Sequence, residues 1–364
     1  MNYNEALNFI LNKQSLGIKP GLARIKKLLT KMDNPQNKIK IIHVAGTNGK
    51  GTIASTIYNV LIDEGYKVGL FSSPWVIDYR EQIQINHSFI QEETFSNYIE
   101  KYKDNDCTEF EFLTAIMYKY FCDEKVDFAV VECGMGGLGD STNVEDKNLS
   151  VITSVSLDHT DFLGSTVKEI AKEKAGIIKD NSVCVLYPNP DVESVFEHEC
   201  ACKNSKLIKV TSGNNYQENN LNTAAAVLYE LGIKKHIALY QLPARHEIIN
   251  GVLIDGGHNV DAAKALISIP KFLDKIAVIG MMRDKDVEGY VSIVAPFCKK
   301  IIVTTPDHSR AMQAGELEKI VRKYCSDIEV IENPVAAVKE YFNHGLDLIC
   351  GSFYLARQVR NLIL

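Results

Sequence analysis

The chain has 364 residues, 46% of them hydrophobic and 24% charged, with a formal net charge of −6. That length suits two domains of ~100–200 residues each, and the composition is that of a globular protein with an ordinary core. Lys and Arg interspersed with Asp and Glu argue against a nucleic-acid-binding face, no run reaches the ~18 apolar residues of a membrane helix, and nine cysteines without CxxC pairing fit reduced thiols. No amino-terminal targeting signature is visible, so a cytoplasmic location is expected.

In chain order, Tyr3–Leu16 and Leu22–Met32 read as amphipathic helices joined through Gly17 and a Pro20-Gly21 break. The short β-branched run from Ile39 to Ala45 reads as a buried strand, and the apolar positions from Ile53 to Ile62 recur at helical spacing. Between them stands Gly46-Thr47-Asn48-Gly49-Lys50-Gly51-Thr52. Glycines there let backbone N–H groups close around phosphate oxygens, with the positive end of the helix behind them. Lys50 supplies a point charge, and Thr52 a hydroxyl for a magnesium ion. The match is a variant one: the strict nucleotide-loop pattern has Gly where Val44 stands and Ser or Thr where Gly51 stands. A plain Gly/Asn turn would not need Lys50 and Thr52 as well.

Strands are then predicted at Tyr66–Ser72, Gln82–Asn86, Val126–Glu132 and Leu149–Val155, with helices at Gln91–Lys103, Glu109–Cys122 and Thr166–Ile177. Alternation continues from Ser182 to Leu231, as expected of a mostly parallel sheet covered by helices. Ligands then belong at the carboxyl ends of the strands, where the polar clusters around Lys50, Ser73, Glu132 and His159 fall. A boundary is expected near Gln241–Arg245. Beyond it the pattern restarts with Val252–Ile254 as strand, Asp255-Gly256-Gly257-His258-Asn259 as loop and Val260–Ile267 as helix. Strands at Lys275–Gly280, Lys300–Thr304, Glu329–Ile331 and Asp347–Cys350 complete a smaller α/β domain.

Glu132 and His159 end buried strands, where a carboxylate or imidazole is costly to leave unpaired. With Thr52 and Ser73 they could hold magnesium against phosphates, although His is an unusual ligand for a hard cation. Structurally they could equally be a helix cap and a satisfied half-buried histidine. Lys174 is a surface lysine on priors alone, but Ala171, Ala175, Gly176, Ile177 and Ile178 around it indicate a buried helix end. Asp255 and Asn259 could be a turn residue and a helix cap. Arg245 is either a surface charge or a phosphate clamp. His198, Cys200 and Cys202 form a tight cluster but lack the second pair of a zinc site.

Together these residues resemble the folylpolyglutamate synthase/dihydrofolate synthase family of the Mur ligase superfamily. The resemblance runs through Gly21-Leu22-Ala23-Arg24, HVAGTNGKGT at His43–Thr52, SSPW at Ser72–Trp75, FEFLTA at Phe110–Ala115, VVECGMGGLGDSTN at Val130–Asn143, LDHTDFLGSTVKEIAKEKAGIIK at Leu157–Lys179, LPARHE at Leu242–Glu247, DGGHN at Asp255–Asn259, DKD at Asp284–Asp286 and GSFY at Gly351–Tyr354. It implies a P-loop ATP- and folate-binding domain over 1–241 and a Rossmann-like glutamate-ligase domain over 242–364. The implied reaction joins L-glutamate to a pteroate or folate carboxylate, using ATP, through an acyl phosphate.

By the same resemblance, Gly46, Thr47, Asn48, Gly49, Lys50, Gly51 and Thr52 bind ATP phosphates, and Thr52, Ser73, Glu132 and His159 bind metal. Lys174 is the lysine that carbon dioxide carbamylates, becoming an anionic ligand for the second of two magnesium ions. Asn220, or Asn222 in a shifted register, contacts adenine, while Arg245, Asp255 and His258 contact phosphates and ribose. Lys50, Lys174 and His258 are the catalytic candidates, and the implied enzyme is a monomer that takes small-molecule substrates only. This chain departs from the family at Trp75, at Gln82, at Leu138 and in a shortened stretch between Lys179 and Asn220. A relative with a changed acid substrate, or a nucleotide-binding module without ligase chemistry, are the competing readings. The latter leaves Lys174, Arg245 and His258 without a purpose.

Overall fold

The computed structural model describes residues 1–13, 17, 21–269 and 272–364. The chain divides into two compact units, one of Met1–Pro74 with Tyr79–Tyr240 and one of Trp75–Asp78 with Gln241–Leu364.

In the first unit α1 (Tyr3–Asn12) and α2 (Ala23–Lys31) precede β1 (Ile41–Ala45), α3 (Lys50–Asp63), β2 (Val68–Phe71), β3 (Ile83–Ile85), β4 (Ser88–Phe89), α4 (Glu92–Tyr102) and α5 (Glu109–Asp123). Next come β5 (Phe128–Glu132), β6 (Leu149–Ile152), α6 (Thr160–Leu163), α7 (Val167–Ala175), β7 (Val183–Leu186), α8 (Glu193–Cys202), β8 (Lys206–Lys209) and α9 (Tyr216–Glu230). Among the described residues the strands form one sheet ordered β4-β3-β2-β5-β1-β6-β7-β8. Among these strands β3 alone runs against the others, pairing antiparallel with β2 and with β4. The central strand β1 is buried along its whole length, as an apolar parallel strand covered on both faces must be.

Helix α3 is apolar nearly all round because it lies between the sheet and α9: Ile53, Ile57 and Leu61 pack with Val44, Val130, Ala224, Val227 and Leu228. On another core cluster, Ala171 and Ala175 of α7 and Phe196 of α8 pack with Ala45, Ile152 and Leu186. Helix α7 starts at a capping box in which Thr166 and Glu169 satisfy each other's backbone N–H groups.

The second unit holds β9 (Glu247–Ile249), β10 (Val252–Asp255), α10 (Val260–Ile267), β11 (Lys275–Ile279), α11 (Val287–Val294), β12 (Cys298–Val303), α12 (Ala314–Val321), β13 (Ile328–Val330), α13 (Pro334–Phe342), β14 (Leu348–Cys350) and α14 (Phe353–Val359). Its sheet is ordered β13-β12-β11-β14-β10-β9 and is parallel except at β9. Val76, from the Trp75–Asp78 segment, joins the core of this unit with Val252, Ile254 and Val278.

The fold class is therefore the expected one, with local differences. Strand β9 and the one-turn helix α6 carry too few residues to show a periodicity. The first helix ends at Asn12 with Lys13 as its cap, and the Gln14–Leu16 part of its expected span, like Pro20, lies outside the described residues.

Candidate active site

Register places the functional positions of the first unit at one end of its sheet. Val44 pairs with Glu132 and Ala45 with Ile152, so the loop that leaves β1 at Gly46 emerges beside the ends of β5 and β6. The sheet order reverses about β1, which makes this edge the ligand crevice of an open parallel sheet.

The loop is held by the Thr153–Ser156 segment at the end of β6. Thr47 N donates to the Ser154 carbonyl at 2.6 Å, and the hydroxyls of Thr153 and Ser154 donate to the Asn48 carbonyl at 2.7 and 3.1 Å. Gly46 is obligatory, since a Cβ there would fall 1.7 Å from Thr153 Oγ1. Gly49 sits at φ +86°, and a Cβ on it would meet Asn220 Oδ1 at 2.7 Å. That contact puts Asn220, buried in α9, against the loop.

Two lysines converge on one carbonyl. Lys50 Nζ donates to Gly46 O at 3.0 Å and Thr47 O at 3.1 Å, and Lys174 Nζ, from the last turn of α7, donates to the same Gly46 O at 2.9 Å. Lys174 is 2% exposed. Burial, and then the charge of Lys50, push its ammonium down to about 7, against the smaller pull of Cys133, Asp158 and Asp140. A buried lysine held near neutrality is a functional candidate rather than a solvated surface charge.

Glu132, buried at the end of β5, accepts a bond from Ser73 N at 3.3 Å. Thr52 is half-buried in the first turn of α3, and its carbonyl accepts from Thr56 Oγ1. His159 does not end a strand as expected: β6 stops at Ile152, and His159 stands at φ +50° before α6, with Nε2 3.8 Å from Asp158 Oδ2. Among the described residues no three His, Cys, Asp or Glu side chains group as a cation site, the His198–Cys202 pair included. The Glu132 carboxylate and the hydroxyls of Ser73 and Thr52 are oxygen donors, the type that a hard cation such as magnesium takes. Gly51, Thr47 and Asn48 complete the loop.

In the second unit Asp255 ends β10 and uses both oxygens locally, Oδ1 accepting from Gly257 N at 2.8 Å and Oδ2 from His246 N at 3.0 Å. It thereby binds the Ala244–His246 turn to the glycine turn. The Arg245 guanidinium lies 4.1 Å from the Phe353 ring centroid, and His258 meets the same ring edge-on. A Cβ on Gly256 would fall 2.3 Å from Phe353, so the glycine admits the ring. His258 Nδ1 lies 3.0 Å from the Gly256 carbonyl, a contact that an Nδ1 proton makes. Asn259 caps α10 by accepting from Ala262 N.

Sequence patterns match this site to known proteins. The Mur ligase middle domain matches residues 44–263, and the Mur ligase glutamate ligase domain matches residues 244–350. Folylpolyglutamate synthase of Lacticaseibacillus casei is 32% identical, over 100% of this chain and 99% of its own length. This chain belongs to the folylpolyglutamate synthase/dihydrofolate synthase family of Mur ligases. Within that family, the dihydrofolate synthetase of Saccharomyces cerevisiae is 30% identical over 94% of this chain and 98% of its own. Among solved structures, Escherichia coli FolC in complex with DHPP and ADP superposes with a TM-score of 0.90 at 26% identity, covering 100% of this chain and 98% of that one. The Yersinia pestis enzyme complexed with AMPPNP and Mn ion gives 0.88 at 26% identity, covering 100% and 98%.

Three groups escape a reading of the sequence. The Thr153–Ser156 run that cradles the loop shows there only as polar residues after a buried strand. Phe353, under Arg245 and His258, looks like core. The buried pair of His43 and Glu145, 102 positions apart, leaves no signal at all.

Proposed function

We propose that the chain is an ATP-dependent ligase that joins L-glutamate to a pteroate or folate carboxylate through an acyl phosphate, releasing ADP and phosphate. The observation that carries this reading is the convergence of Lys50 and buried Lys174 on the Gly46 carbonyl at the mouth of a phosphate-type loop. A carboxylate accepts an amine poorly until one of its oxygens becomes a leaving group, so the site must gather phosphates and acid together.

In this reading residues 46–52 cradle the β- and γ-phosphates with backbone N–H groups, and Lys50 exchanges its loop carbonyls for phosphate oxygens. Magnesium, when bound, offsets phosphate charge, and Glu132, Ser73, Thr52 and His159 are its proposed holders, two ions being the family pattern. Lys174, near neutrality, has the free amine pair that carbon dioxide requires, and as a carbamate it becomes a second anionic oxygen donor. Asn220 borders the adenine position. Arg245, Asp255 and His258 serve the nucleotide from the 242–364 glutamate-ligase domain, with the remainder as the ATP- and folate-binding domain. The enzyme so proposed is monomeric and cytoplasmic and acts on small molecules alone.

The test is ADP release with dihydropteroate, tetrahydrofolate, glutamylated folates and non-pterin acids, each with and without glutamate. Turnover only with a pterin acid and glutamate is expected. Turnover on a non-pterin acid alone, which the departures at Trp75 and Gln82 make the informative arm, would replace the acid, and glutamate-independent ATP hydrolysis would overturn the ligase.

A further inference from the structure

We propose that His43 is a positioning residue for Lys174, acting through Thr142 and the 133–142 loop with Glu145 as its buried counter-ion. The inference rests on the role given to Lys174 above.

His43 lies in the middle of β1, fully buried, three residues before Gly46. Its Nδ1 is 2.9 Å from Glu145 Oε1, and its Nε2 is 2.8 Å from Thr142 Oγ1 and 3.1 Å from Cys133 Sγ. The single hydroxyl proton of Thr142 goes to Asp140 Oδ1 at 2.5 Å, so that hydroxyl accepts from Nε2–H, while the Glu145 carboxylate accepts from Nδ1–H. A carboxylate at Nδ1 and a hydroxyl oxygen at Nε2 are partners that suit a ring donating from both nitrogens. In agreement, although burial alone would push His43 down, Cys133 and the Glu145 carboxylate raise it to about 10. Asn148 Nδ2 donates to Glu145 Oε1 at 2.6 Å and to the Ile177 carbonyl at 3.0 Å, and Lys179 Nζ lies 3.8 Å from Glu145.

From Thr142 the contacts run to Lys174. Asp140 closes the loop by accepting from Met135 N at 2.8 Å and Thr142 N at 2.9 Å. Leu138 N then donates to the Glu173 carbonyl at 2.7 Å, and a Cβ on Gly137 would fall 2.6 Å from that oxygen and 2.9 Å from Lys174 Cα. The backbone of the loop is thus the bed of Lys174, whose Nζ returns to Gly46 O at 2.9 Å. The circuit begins on β1 and ends on Gly46, the residue that follows it. A shift of the loop away from His43 moves the Lys174 amine relative to the phosphate loop.

The test is a double-mutant cycle on the full chain. The paired change His43→Gln with Glu145→Gln removes both charges together, so neither is left buried alone. Thr142→Val, which deletes one hydroxyl, is the milder arm and decides the matter if melting curves show the pair unfolded. Glutamate-dependent ADP release is measured for each arm, alone and with Lys174→Ala. The paired change should lower kcat about 10–100-fold with KM for the acid held within about twofold, and it should cost under about threefold more in the Lys174→Ala background. Losses that multiply in an impaired Lys174→Ala background, or wild-type kcat in the paired variant, overturn this proposal alone. Full activity of Lys174→Ala by itself overturns the role assigned to Lys174 and this proposal with it.

Discussion

The two sheets each end in a glycine turn that carries charged residues, yet they hold them in opposite ways. At the end of β1, β5 and β6 four titratable groups are buried, Lys174 and Glu132 at 2% exposed and His43 and Glu145 beneath the loop, beside part-exposed Lys50 and His159. At the end of β10 only Asp255 is buried, and both its oxygens serve neighbouring backbone, while Arg245 and His258 lie half-exposed on the Phe353 ring. Burial raises the energetic cost of charge and moves pKa values, which suits groups that must react or hold a metal. Exposure on an aromatic floor leaves charge cheap and mobile, which suits groups that bind and release a nucleotide.

If that contrast holds, substitutions in the first site should act on kcat and those in the second on KM. The largest effect is expected for Lys174→Ala, a loss of about 10²–10³-fold in kcat, partly restored by millimolar short carboxylates that stand in for the carbamate proposed above. Full activity in this variant would remove the contrast. Next comes pH. Carbamate formation needs the neutral amine, and with Lys174 held down to about 7 that form gains ground as pH rises through 7 and saturates above it. At fixed dissolved carbon dioxide, activation should climb from pH 6 to 8 and then level. A climb that continues towards 10.5, the ordinary lysine value, would mean that Lys174 is solvated.

Effects in the second unit should be smaller. Asp255→Asn keeps the size but replaces one acceptor oxygen by a donor, so either the His246 or the Gly257 N–H loses its partner. At about 1–3 kcal/mol for an unsatisfied buried group, KM for ATP should rise roughly tenfold in steady-state assays, with kcat changed less. Phe353→Leu keeps apolar volume and deletes the ring beneath Arg245, a contact of about 0.5–1 kcal/mol at a half-exposed site. A two- to fivefold rise in KM for ATP is the expected outcome, and a large kcat loss would show that Phe353 does more than seat Arg245.

The same contrast explains how much of the molecule is legible in the sequence. Strands β1, β5 and β10 announce themselves as short apolar runs that end in Gly or an acid, so the loop from Gly46 to Thr52, Glu132 and Asp255 fall at strand ends by pattern alone. Lys174 is legible through its small apolar neighbours, because a lysine followed by Ala-Gly-Ile-Ile has no solvated face to occupy. Phe353 is not, since an aromatic after Gly-Ser reads as core whether or not an arginine lies on it. Nor is Glu145, which sits in a polar stretch, Asp140–Asn148, that looks like surface. Only the β1–β6 pairing, which places Ile42 opposite Leu149 and so carries that stretch beside His43, makes it a buried partner. Long-range polar pairs of this kind depend on register, and a register is a property of the sheet.

The most direct measurement traces an oxygen atom. With the acid's reacting carboxylate labelled with ¹⁸O, ligation to glutamate should deliver one labelled oxygen to the released phosphate for each amide bond formed, because that oxygen bridges to phosphorus in the acyl phosphate. Phosphate free of label, with amide still produced, would contradict phosphorylation of the carboxylate and with it the role assigned to the phosphate loop and its two lysines.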